Sequence, residues 1–213
     1  MECRIVKAAV FHGPNDLKLE EVNKPVISEN EVLVKVNAAA VCGTDVRIFE
    51  GKKTKGVRTP SVIGHELVGT IEQVGKQVAD FFVGDRVGVM PVIPCRKCHY
   101  CLNGRENVCA NRTAIGYEYD GGFAEYVKIP SAAVEAGNLV KIPDNVTFEQ
   151  AVVTEPLACC INGQRKANVQ MGDVVVVIGG GPIGLMHVQL AKIAGARTVI
   201  LSEPIDHRRD KAL

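Results

Sequence analysis

Four cysteines lie within fifteen residues near the middle of this 213-residue chain, and cysteines this close together are typical of metal binding. They are Cys95, Cys98, Cys101 and Cys109, with the spacing Cys-x2-Cys-x2-Cys-x7-Cys. Structural zinc prefers four tetrahedral ligands, and thiolates suit it. We therefore predict a closed structural zinc site in a lobe of about residues 94–112, held together by the metal rather than by an apolar core.

Other interpretations of these cysteines are two disulfides, unrelated core cysteines, or an iron–sulfur cluster. The first residues include Glu2, Arg4 and Lys7, and they contain no apolar run of the kind that a signal peptide needs. Without such a signal the thiols are expected to be reduced, which disfavours disulfides and predicts a cytoplasmic location. His99 lies inside the lobe and could also be a ligand, but four thiolates already suffice.

A second group of potential metal ligands is scattered along the sequence. Cys42 lies in Cys-Gly-Thr-Asp, His65 and Glu66 lie in Gly-His-Glu, and Glu155 lies in Glu-Pro-Leu-Ala. Taken singly, each has an ordinary interpretation as a core or surface residue. Together they supply one thiolate, one imidazole and carboxylates, which is the ligand set of an open, catalytic zinc site.

A glycine-rich segment follows an apolar, β-branched run at residues 173–178, which predicts a buried parallel strand. A helix is predicted at about 183–194 and a second strand at 197–201. Between the first strand and the helix, the pattern G-x-G-x-x-G predicts a dinucleotide-binding loop, in which backbone approaches a pyrophosphate at a helix amino terminus. The residues concerned are Gly179, Gly181, Pro182, Ile183 and Gly184. An ordinary tight turn between strand and helix is the alternative.

The residues after the second strand bear on the choice of dinucleotide. Glu203 ends that strand, where a carboxylate can hold the adenosine ribose hydroxyls and repel a 2′-phosphate. This favours NAD over NADP. Arg208 instead favours NADP, since a nearby arginine can hold the 2′-phosphate.

The elements that position these residues fall into two regions. Strands predicted at residues 32–36, 67–71, 86–89 and 123–127, with turn signals between them, indicate a compact and mostly β domain. From Phe148 onward the pattern is helical, and we place the domain boundary between residues 155 and 156. Among the remaining candidates, Cys159 and Cys160 are predicted in the core on a helix, Cys3 on a strand, and His187 in a structural role.

Composition excludes several function classes. The chain has 25 basic and 24 acidic residues, so nothing favours a nucleic acid or an anionic membrane as its main partner. No stretch of eighteen apolar residues occurs, so no membrane span is predicted. Hydrophobic residues make up 46% of the chain, which is enough for a real core.

The ordered set Cys-Gly-Thr-Asp, Gly-His-Glu, the four-cysteine lobe and Glu-Pro-Leu-Ala resembles the zinc-dependent medium-chain alcohol dehydrogenases. Within that family it looks most like the sorbitol (polyol) dehydrogenase branch. The resemblance implies a mostly β, GroES-like catalytic domain at residues 1–155, followed at residues 156–213 by the first βαβ unit of an NAD-binding Rossmann domain. It also implies that Cys42 and His65 bind catalytic zinc with Glu66 as third ligand, while Glu155 binds the metal's water or replaces it.

The same resemblance implies oxidation of a secondary alcohol, such as that of a polyol, to a ketone with zinc and NAD. The Thr44 hydroxyl would accept the proton first. In many relatives a histidine lies three positions later and continues the relay, but here that residue is Arg47, which cannot shuttle protons near pH 7. The relay then uses water or the cofactor ribose, or works less well. Arg208 is interpreted as packing beside the adenine, and the full-length enzyme as a homo-oligomer, dimer or tetramer.

One βαβ unit is less than a doubly wound sheet requires. Two parallel strands with one helix cannot bury both sheet faces. We therefore expect the chain to be the amino-terminal portion of a longer enzyme, with little activity by itself. A catalytically inactive zinc-binding fragment or interaction module is the alternative function, and a zinc-independent relative of the quinone reductases is disfavoured by the two ligand sets.

Overall fold

The computed structural model describes residues 4–211, so the strand predicted at Cys3 lies outside the described residues. The chain divides into two compact units, Met1–Val152 and Val153–Leu213. The first is rich in strands, and the second alternates strands and helices. The predicted boundary between residues 155 and 156 lies close to this division.

Antiparallel strands build the first unit. They are β1 (Ile5–Gly13), β2 (Asp16–Asn23), β3 (Val32–Ala40), β4 (Ser61–Val62), β5 (Glu66–Val74), β6 (Arg86–Val89), β7 (Val92–Ile93), β8 (Thr113–Ala114), β9 (Tyr126–Ile129) and β10 (Leu139–Lys141). The largest sheet has the order β10-β6-β5-β3-β9, a second has the order β2-β1-β4, and β7 pairs with β8. Short helices connect them: α1 (Gly43–Phe49), α2 (His99–Leu102), α3 (Ser131–Glu135) and α4 (Phe148–Ala151), together with a 3-10 turn at Glu106–Val108.

The main core of this unit is built from the central strands of the five-stranded sheet. Val32, Val34, Leu67, Ile71 and Val87 belong to one cluster of fully buried side chains. Their removal from water supplies most of the stabilisation, at roughly 1.5–3 kcal/mol for each large apolar side chain. Strands β3 and β5 are therefore the rigid elements of this unit.

A smaller apolar cluster attaches helix α1 to the sheets. Ile48 on α1 packs with Phe11 on β1 and with Ile63, which follows β4. All three side chains are almost fully buried. This contact fixes the helix against the segment that leads into β5, so the residues at the start of each are held close together.

The second unit is a βαβ unit with flanking helices. Its elements are α5 (Thr154–Ala167), β11 (Val174–Ile178), α6 (Pro182–Ile193), β12 (Thr198–Ser202) and α7 (Asp206–Asp210). Strands β11 and β12 are parallel, with Val174 opposite Thr198 and Ile178 opposite Ser202. The Gln164 amide on α5 donates a hydrogen bond of 2.7 Å to the backbone carbonyl of His187 on α6, which agrees with the structural role predicted for His187.

Most predicted elements are present, but the strand predicted at residues 123–127 begins only at Tyr126. The reason is that the chain changes sheets here. Ala124 forms an isolated bridge with Ala8 of β1, whereas Tyr126 pairs with Lys35 of β3. A continuous β-type pattern in the sequence thus serves two different partners.

The prediction that residues 173–178 form a buried strand is wrong in its burial and right in its parallel pairing. Val174, Val176 and Ile178 are 53%, 59% and 87% exposed. Within the described part of this unit β11 has one neighbouring strand, and the two-stranded sheet leaves these side chains uncovered. Cys159 is likewise exposed rather than in the core, whereas Cys160 is buried as predicted.

Among residues 4–211, no helix combines the length and the apolar character that crossing a membrane requires.

One glycine shows how tightly the central strands approach. A Cβ added at Gly69 on β5 would lie 2.1 Å from the backbone carbonyl oxygen of Lys35, and backbone cannot move aside in the middle of a sheet. On the adjacent strand β6, a Cβ at Gly88 would meet its nearest atom, on Val68, at an ordinary 3.8 Å.

We therefore expect Gly69→Ala to lower the free energy of unfolding by about 2–3 kcal/mol, the upper part of the range for overpacking. Gly88→Ala should leave it unchanged or raise it by up to about 1 kcal/mol, because alanine restricts the unfolded chain. Urea denaturation of both variants measures this. Equal effects at the two positions would show that the close approach at Gly69 is not a constraint.

Candidate metal sites and glycine loop

The four cysteines of the lobe converge on one point. The sulfur atoms of Cys95, Cys98, Cys101 and Cys109 all lie within 4.8 Å of one another. The Sγ atom of Cys98 is 3.5 Å from that of Cys101 and 3.8 Å from that of Cys109. A disulfide requires about 2.05 Å, so these are free thiols arranged around a common centre. The structure therefore brings together all four residues that the spacing predicted.

Backbone N–H groups around the cluster favour thiolates. The N–H of Cys95 donates to the Cys109 sulfur at 3.2 Å. Backbone N–H groups of Cys101 and Ala110 donate to Cys98 and lower the pKa of its thiol to about 6. Burial instead raises the pKa of Cys101. Four sulfurs at this separation cannot all be ionised without a compensating cation, so the arrangement suits a dication with four thiolate ligands.

His99 stands apart from this cluster. It is exposed, and its ring and carbonyl lie at 3.4 and 2.7 Å from the side-chain amide of Asn103. The four sulfurs therefore supply the four ligands of a structural zinc site without it.

A second cluster lies where β3 ends and β5 begins. The antiparallel register places Ala40 opposite Glu66, so residues just after β3 lie beside residues just before β5. As a result the Cys42 sulfur, a ring nitrogen of His65 and a carboxylate oxygen of Glu66 lie within 4.8 Å of one another. His65 and Glu66 are buried at 6% and 7% exposure, and Cys42 is half-buried. One thiolate, one imidazole and one carboxylate thus share a small space, which fits three protein ligands and an open position.

Cys42 caps the amino terminus of helix α1, a position where cysteine is uncommon. Cys42 is the residue before the helix, and its sulfur accepts the N–H of Thr44 at 3.4 Å. The Asp45 carboxylate in turn accepts the N–H of Cys42 at 2.8 Å, completing a capping box. The Thr44 hydroxyl lies 3.6 Å from the Cys42 sulfur. The predicted proton acceptor therefore borders the metal cluster.

Asp45 also holds His65, a role that the sequence interpretation did not assign. Its second carboxylate oxygen lies 3.2 Å from His65 Nδ1, and both side chains are buried. When Nδ1 carries the proton that Asp45 accepts, Nε2 keeps the lone pair that a metal needs. The only signal in the sequence is the capping pattern, in which an acid stands three residues after the cap residue Cys42.

Asp45 controls the protonation of His65 as well. Burial lowers the pKa of His65, but the hydrogen bond and charge of Asp45, with a smaller effect of Cys42, outweigh burial and raise it to about 9. Without a metal His65 is therefore a cation at neutral pH, paired with Asp45. Metal binding must displace a proton, so affinity is expected to rise with pH until it passes about 9.

Glu155 lies in the other unit, in the first turn of α5. Its predicted role toward the metal or the metal's water remains a prediction.

The glycine loop joins β11 to α6. Gly179 has a φ of +98°, which favours glycine, and a Cβ at Gly184 would lie 1.8 Å from the Gly179 carbonyl oxygen. Gly181 is the cap residue of α6 and has no atom near the position of a Cβ, so its surface is open. Pro182 and Ile183 form the first turn of the helix, whose initial N–H groups have no partner within the helix. This arrangement fits the pyrophosphate cradle that the motif predicted.

Glu203 is tied to that loop. One carboxylate oxygen accepts the N–H of Gly180 at 2.6 Å and the other accepts the N–H of Ile205 at 2.9 Å. These bonds lower the pKa of Glu203, so it is ionised at neutral pH. Arg208 is exposed, whereas Arg209 donates to the backbone carbonyl of Glu203 at 2.7 Å. A fixed negative charge therefore stands beside the glycine loop.

Comparison with protein-family models matches residues 28–144, more than half of the chain, to the alcohol dehydrogenase GroES-like domain. The chain belongs to this family. The predicted fold class and the resemblance to zinc-dependent medium-chain alcohol dehydrogenases are thereby confirmed.

Individual relatives of this family cover almost the whole chain. A sorbitol dehydrogenase of Bombyx mori is 36% identical over 209 residues, covering 97% of this chain and 59% of the relative. An L-threonine 3-dehydrogenase of Pseudoalteromonas translucida (strain TAC 125) is 37% identical over 196 residues, covering 91% and 56%. A crystal structure from Sinorhizobium meliloti 1021, described as a zinc-binding dehydrogenase bound to NADP, superposes with a TM-score of 0.91 at 37% identity, covering 98% and 59%. The chain thus spans less than two thirds of the length of these relatives.

A serine substitution tests the cysteine lobe of this GroES-like domain. We expect Cys101→Ser to lower the zinc content by about one ion per chain, because a serine hydroxyl does not replace a thiolate ligand. Elemental analysis after gel filtration measures the content. Cys159→Ser is the matched control, since Cys159 is exposed and outside the cluster. A zinc content that is the same in both variants would contradict the four-thiolate site.

A second substitution tests the positioning role of Asp45. We expect Asp45→Asn to weaken zinc binding at Cys42, His65 and Glu66 by about tenfold to a hundredfold, as is usual when the partner of a ligating histidine is lost. Zinc affinity should be measured well above pH 9, where His65 is neutral in both proteins. A weaker affinity then reports the lost orientation of the His65 ring and not a change in the pKa of His65. Chelator-buffered zinc titration gives the affinity. Asp16→Asn, at an exposed ion pair with Lys18, is the control and should bind zinc like the unsubstituted protein; unchanged affinity in Asp45→Asn would remove the assigned role.

Proposed function

We propose that this protein takes part in the zinc- and NAD-dependent oxidation of a secondary alcohol, such as that of a polyol, to a ketone. The observation that carries the proposal is the cluster of Cys42, His65 and Glu66 with the Thr44 hydroxyl beside it. Three ligands can hold a metal ion that binds the alcohol oxygen, and a neighbouring hydroxyl can accept the alcohol's proton. A bound zinc ion would supply Lewis-acid chemistry at this position, and NAD would supply the hydride acceptor.

The residues of this chain have separable tasks in that reaction. Cys42, His65 and Glu66 would hold the ion, and Asp45 keeps His65 in the tautomer that binds it. The Thr44 hydroxyl accepts the proton of the substrate alcohol. Arg47 lies one turn further along α1 and keeps its charge near pH 7, so the proton passes from Thr44 to water or to the cofactor ribose.

The glycine loop and Glu203 support NAD as the cofactor. The loop at Gly179, Gly181 and Gly184 leaves room for a pyrophosphate beside the amino terminus of α6. Glu203 is ionised and anchored by two backbone N–H groups, so it cannot turn away from a 2′-phosphate. The related structure from Sinorhizobium meliloti 1021 is bound to NADP, so the experiment below compares the two cofactors directly.

Polyols are proposed as the substrate class on two grounds. The ligand set includes Glu66 beside His65, as the resemblance to the polyol branch implies, and a sorbitol dehydrogenase is among the relatives. An L-threonine 3-dehydrogenase is equally similar, so threonine belongs in the same substrate panel. The cytoplasmic location and the dimer or tetramer remain predictions.

The decisive experiment follows NADH formation by the zinc-loaded full-length enzyme, because little activity is expected of this chain by itself, with sorbitol, xylitol, a vicinal diol and L-threonine. We expect turnover of at least one of them, loss of turnover when zinc is removed, and recovery when zinc is restored. We expect NAD to be preferred to NADP by at least about tenfold, because Glu203 repels the 2′-phosphate. Cys42→Ser should abolish turnover, whereas Cys159→Ser should not.

Two outcomes would contradict the proposal. Turnover that persists after complete removal of zinc would exclude the assigned role of the Cys42 cluster. Protein that contains its zinc and binds NAD but oxidises nothing in the panel would favour the alternative, a zinc-binding module without catalysis.

A further inference from the structure

A strongly basic segment lies beside the Cys42 cluster and has no part in the reaction described above. Residues 47–58 carry five basic side chains and one acidic one. They are Arg47, Lys52, Lys53, Lys55 and Arg58, against Glu50.

Two of these cations are neutralised by partners. Lys52 pairs with Glu50 at 2.7 Å, and Arg58 pairs with Asp120 at 2.7 Å. Within residues 4–211, neither Arg47 nor Lys53 has a carboxylate at ion-pair distance. Lys55 also has no carboxylate at ion-pair distance in this part of the chain, so three uncompensated positive charges remain.

Helix geometry places Arg47 near the reacting group. Arg47 follows Thr44 by three residues on α1, and residues at this spacing share one face of a helix. Its side chain is exposed. The segment folds back on the same residue, because the carbonyl oxygen of Arg47 accepts the N–H groups of Lys52 and Lys53 at 2.8 and 3.0 Å.

Lys53 is linked to the cluster through an aromatic ring. Its ammonium group lies 4.6 Å from the centre of the Tyr117 ring, and that ring centre lies 5.5 Å from the centre of the His65 ring. Lys53 is half-buried, and it also donates a hydrogen bond to the carbonyl oxygen of Lys55. The two distances together place the ammonium no more than about 10 Å from the centre of the His65 ring. A six-carbon chain with an anionic group at its far end is long enough to bridge such a separation.

Three acidic side chains near the basic segment have other partners. Asp45 is buried against Cys42 and His65, and Glu66 belongs to the metal cluster. Glu118 lies against the backbone of Gly56 and accepts the N–H of Ala114 at 2.8 Å. None of them pairs with Arg47 or Lys53 within the described residues.

We propose that Arg47 and Lys53 bind an anionic group of the substrate, a phosphate or a carboxylate carried on the polyol chain away from the hydroxyl that reacts. This inference rests on the proposed function and narrows its substrate class to sugar-alcohol phosphates or sugar acids. Arg47 offers a planar fork and Lys53 a compact ammonium, which together suit an oxyanion. The arginine that replaces the usual histidine of the relay is then a specificity residue.

Calorimetric binding without any cofactor tests this inference separately from catalysis. Zinc-loaded protein is titrated with sorbitol, with sorbitol 6-phosphate and with D-gluconate. We expect at least one of the two anions to bind about tenfold or more tightly than sorbitol at low ionic strength. This advantage should shrink as salt is added, because exposed charges are screened. Whether phosphate or carboxylate binds better identifies the natural anion.

Single substitutions assign the effect to the two cations. Arg47→Gln and Lys53→Gln should each weaken binding of the preferred anion by about threefold to tenfold, the range for a lost charged contact, and leave sorbitol binding unchanged. Lys52→Gln is the matched control on the same segment, since Lys52 is already paired with Glu50, and it should bind the anion normally. Thermal unfolding of each variant checks that the fold is retained.

The results separate the two proposals. Anions that bind no more tightly than sorbitol, or equal losses in the Lys52 and Lys53 variants, would overturn the anion site even if NADH formation with a neutral polyol is observed. Anion binding that depends on Arg47 and Lys53 would support the site even if no substrate is oxidised. If Arg47 and Lys53 contacted only the phosphates of the cofactor, neither substitution would change anion binding in these cofactor-free titrations. That result would also overturn the inference.

Discussion

The carboxylate of Asp45 is the contact on which the candidate active site depends. One oxygen accepts the backbone N–H of Cys42 and the other lies at hydrogen-bond distance from His65 Nδ1. Burying a carboxylate is costly unless it is hydrogen-bonded, and here both bonds go to residues that would hold the metal. The start of helix α1 and the start of strand β5 are therefore fixed to each other by one side chain. The apolar contact between Ile48 and Ile63 stabilises the same junction.

The two metal clusters differ in what holds them together. In the lobe, four sulfurs come from one short segment that contains a single-turn helix and a 3-10 turn, while Leu102 remains 73% exposed. Such a segment has little core, so a bound metal would supply much of its folding free energy. At the Cys42 cluster, the ligands come from separate elements that the five-stranded sheet already fixes through the register of Ala40 and Glu66. The fold positions three ligands there, which fits a metal site with an open coordination position.

The ligand sets could be predicted from the sequence because they depend on residue type and short spacing. The four cysteines lie in one segment, and the motifs around Cys42 and His65 are recognisable without the structure. The contact of Asp45 with His65 could not be predicted, because it depends on pairing between two distant strands. Burial of β11 was predicted wrongly for a related reason. An apolar pattern shows what a strand can bury, whereas exposure depends on which neighbours are present, and Ile178 is 87% exposed beside a single strand.

Position 47 has an arginine where many relatives have a histidine, and the structure suggests a different role for it. Considered as a step in a proton relay, arginine in place of histidine is a loss, since guanidinium does not release its proton near pH 7. In this structure Thr44 is half-buried and its neighbours Gly43 and Val46 are exposed, which is compatible with the water route in the proposed relay. If position 47 takes no part in proton transfer, a permanently charged residue such as arginine can occupy it. Within residues 4–211 Lys53 also has no carboxylate at ion-pair distance, so the charge at Arg47 is not an isolated exception and fits the anion site proposed above.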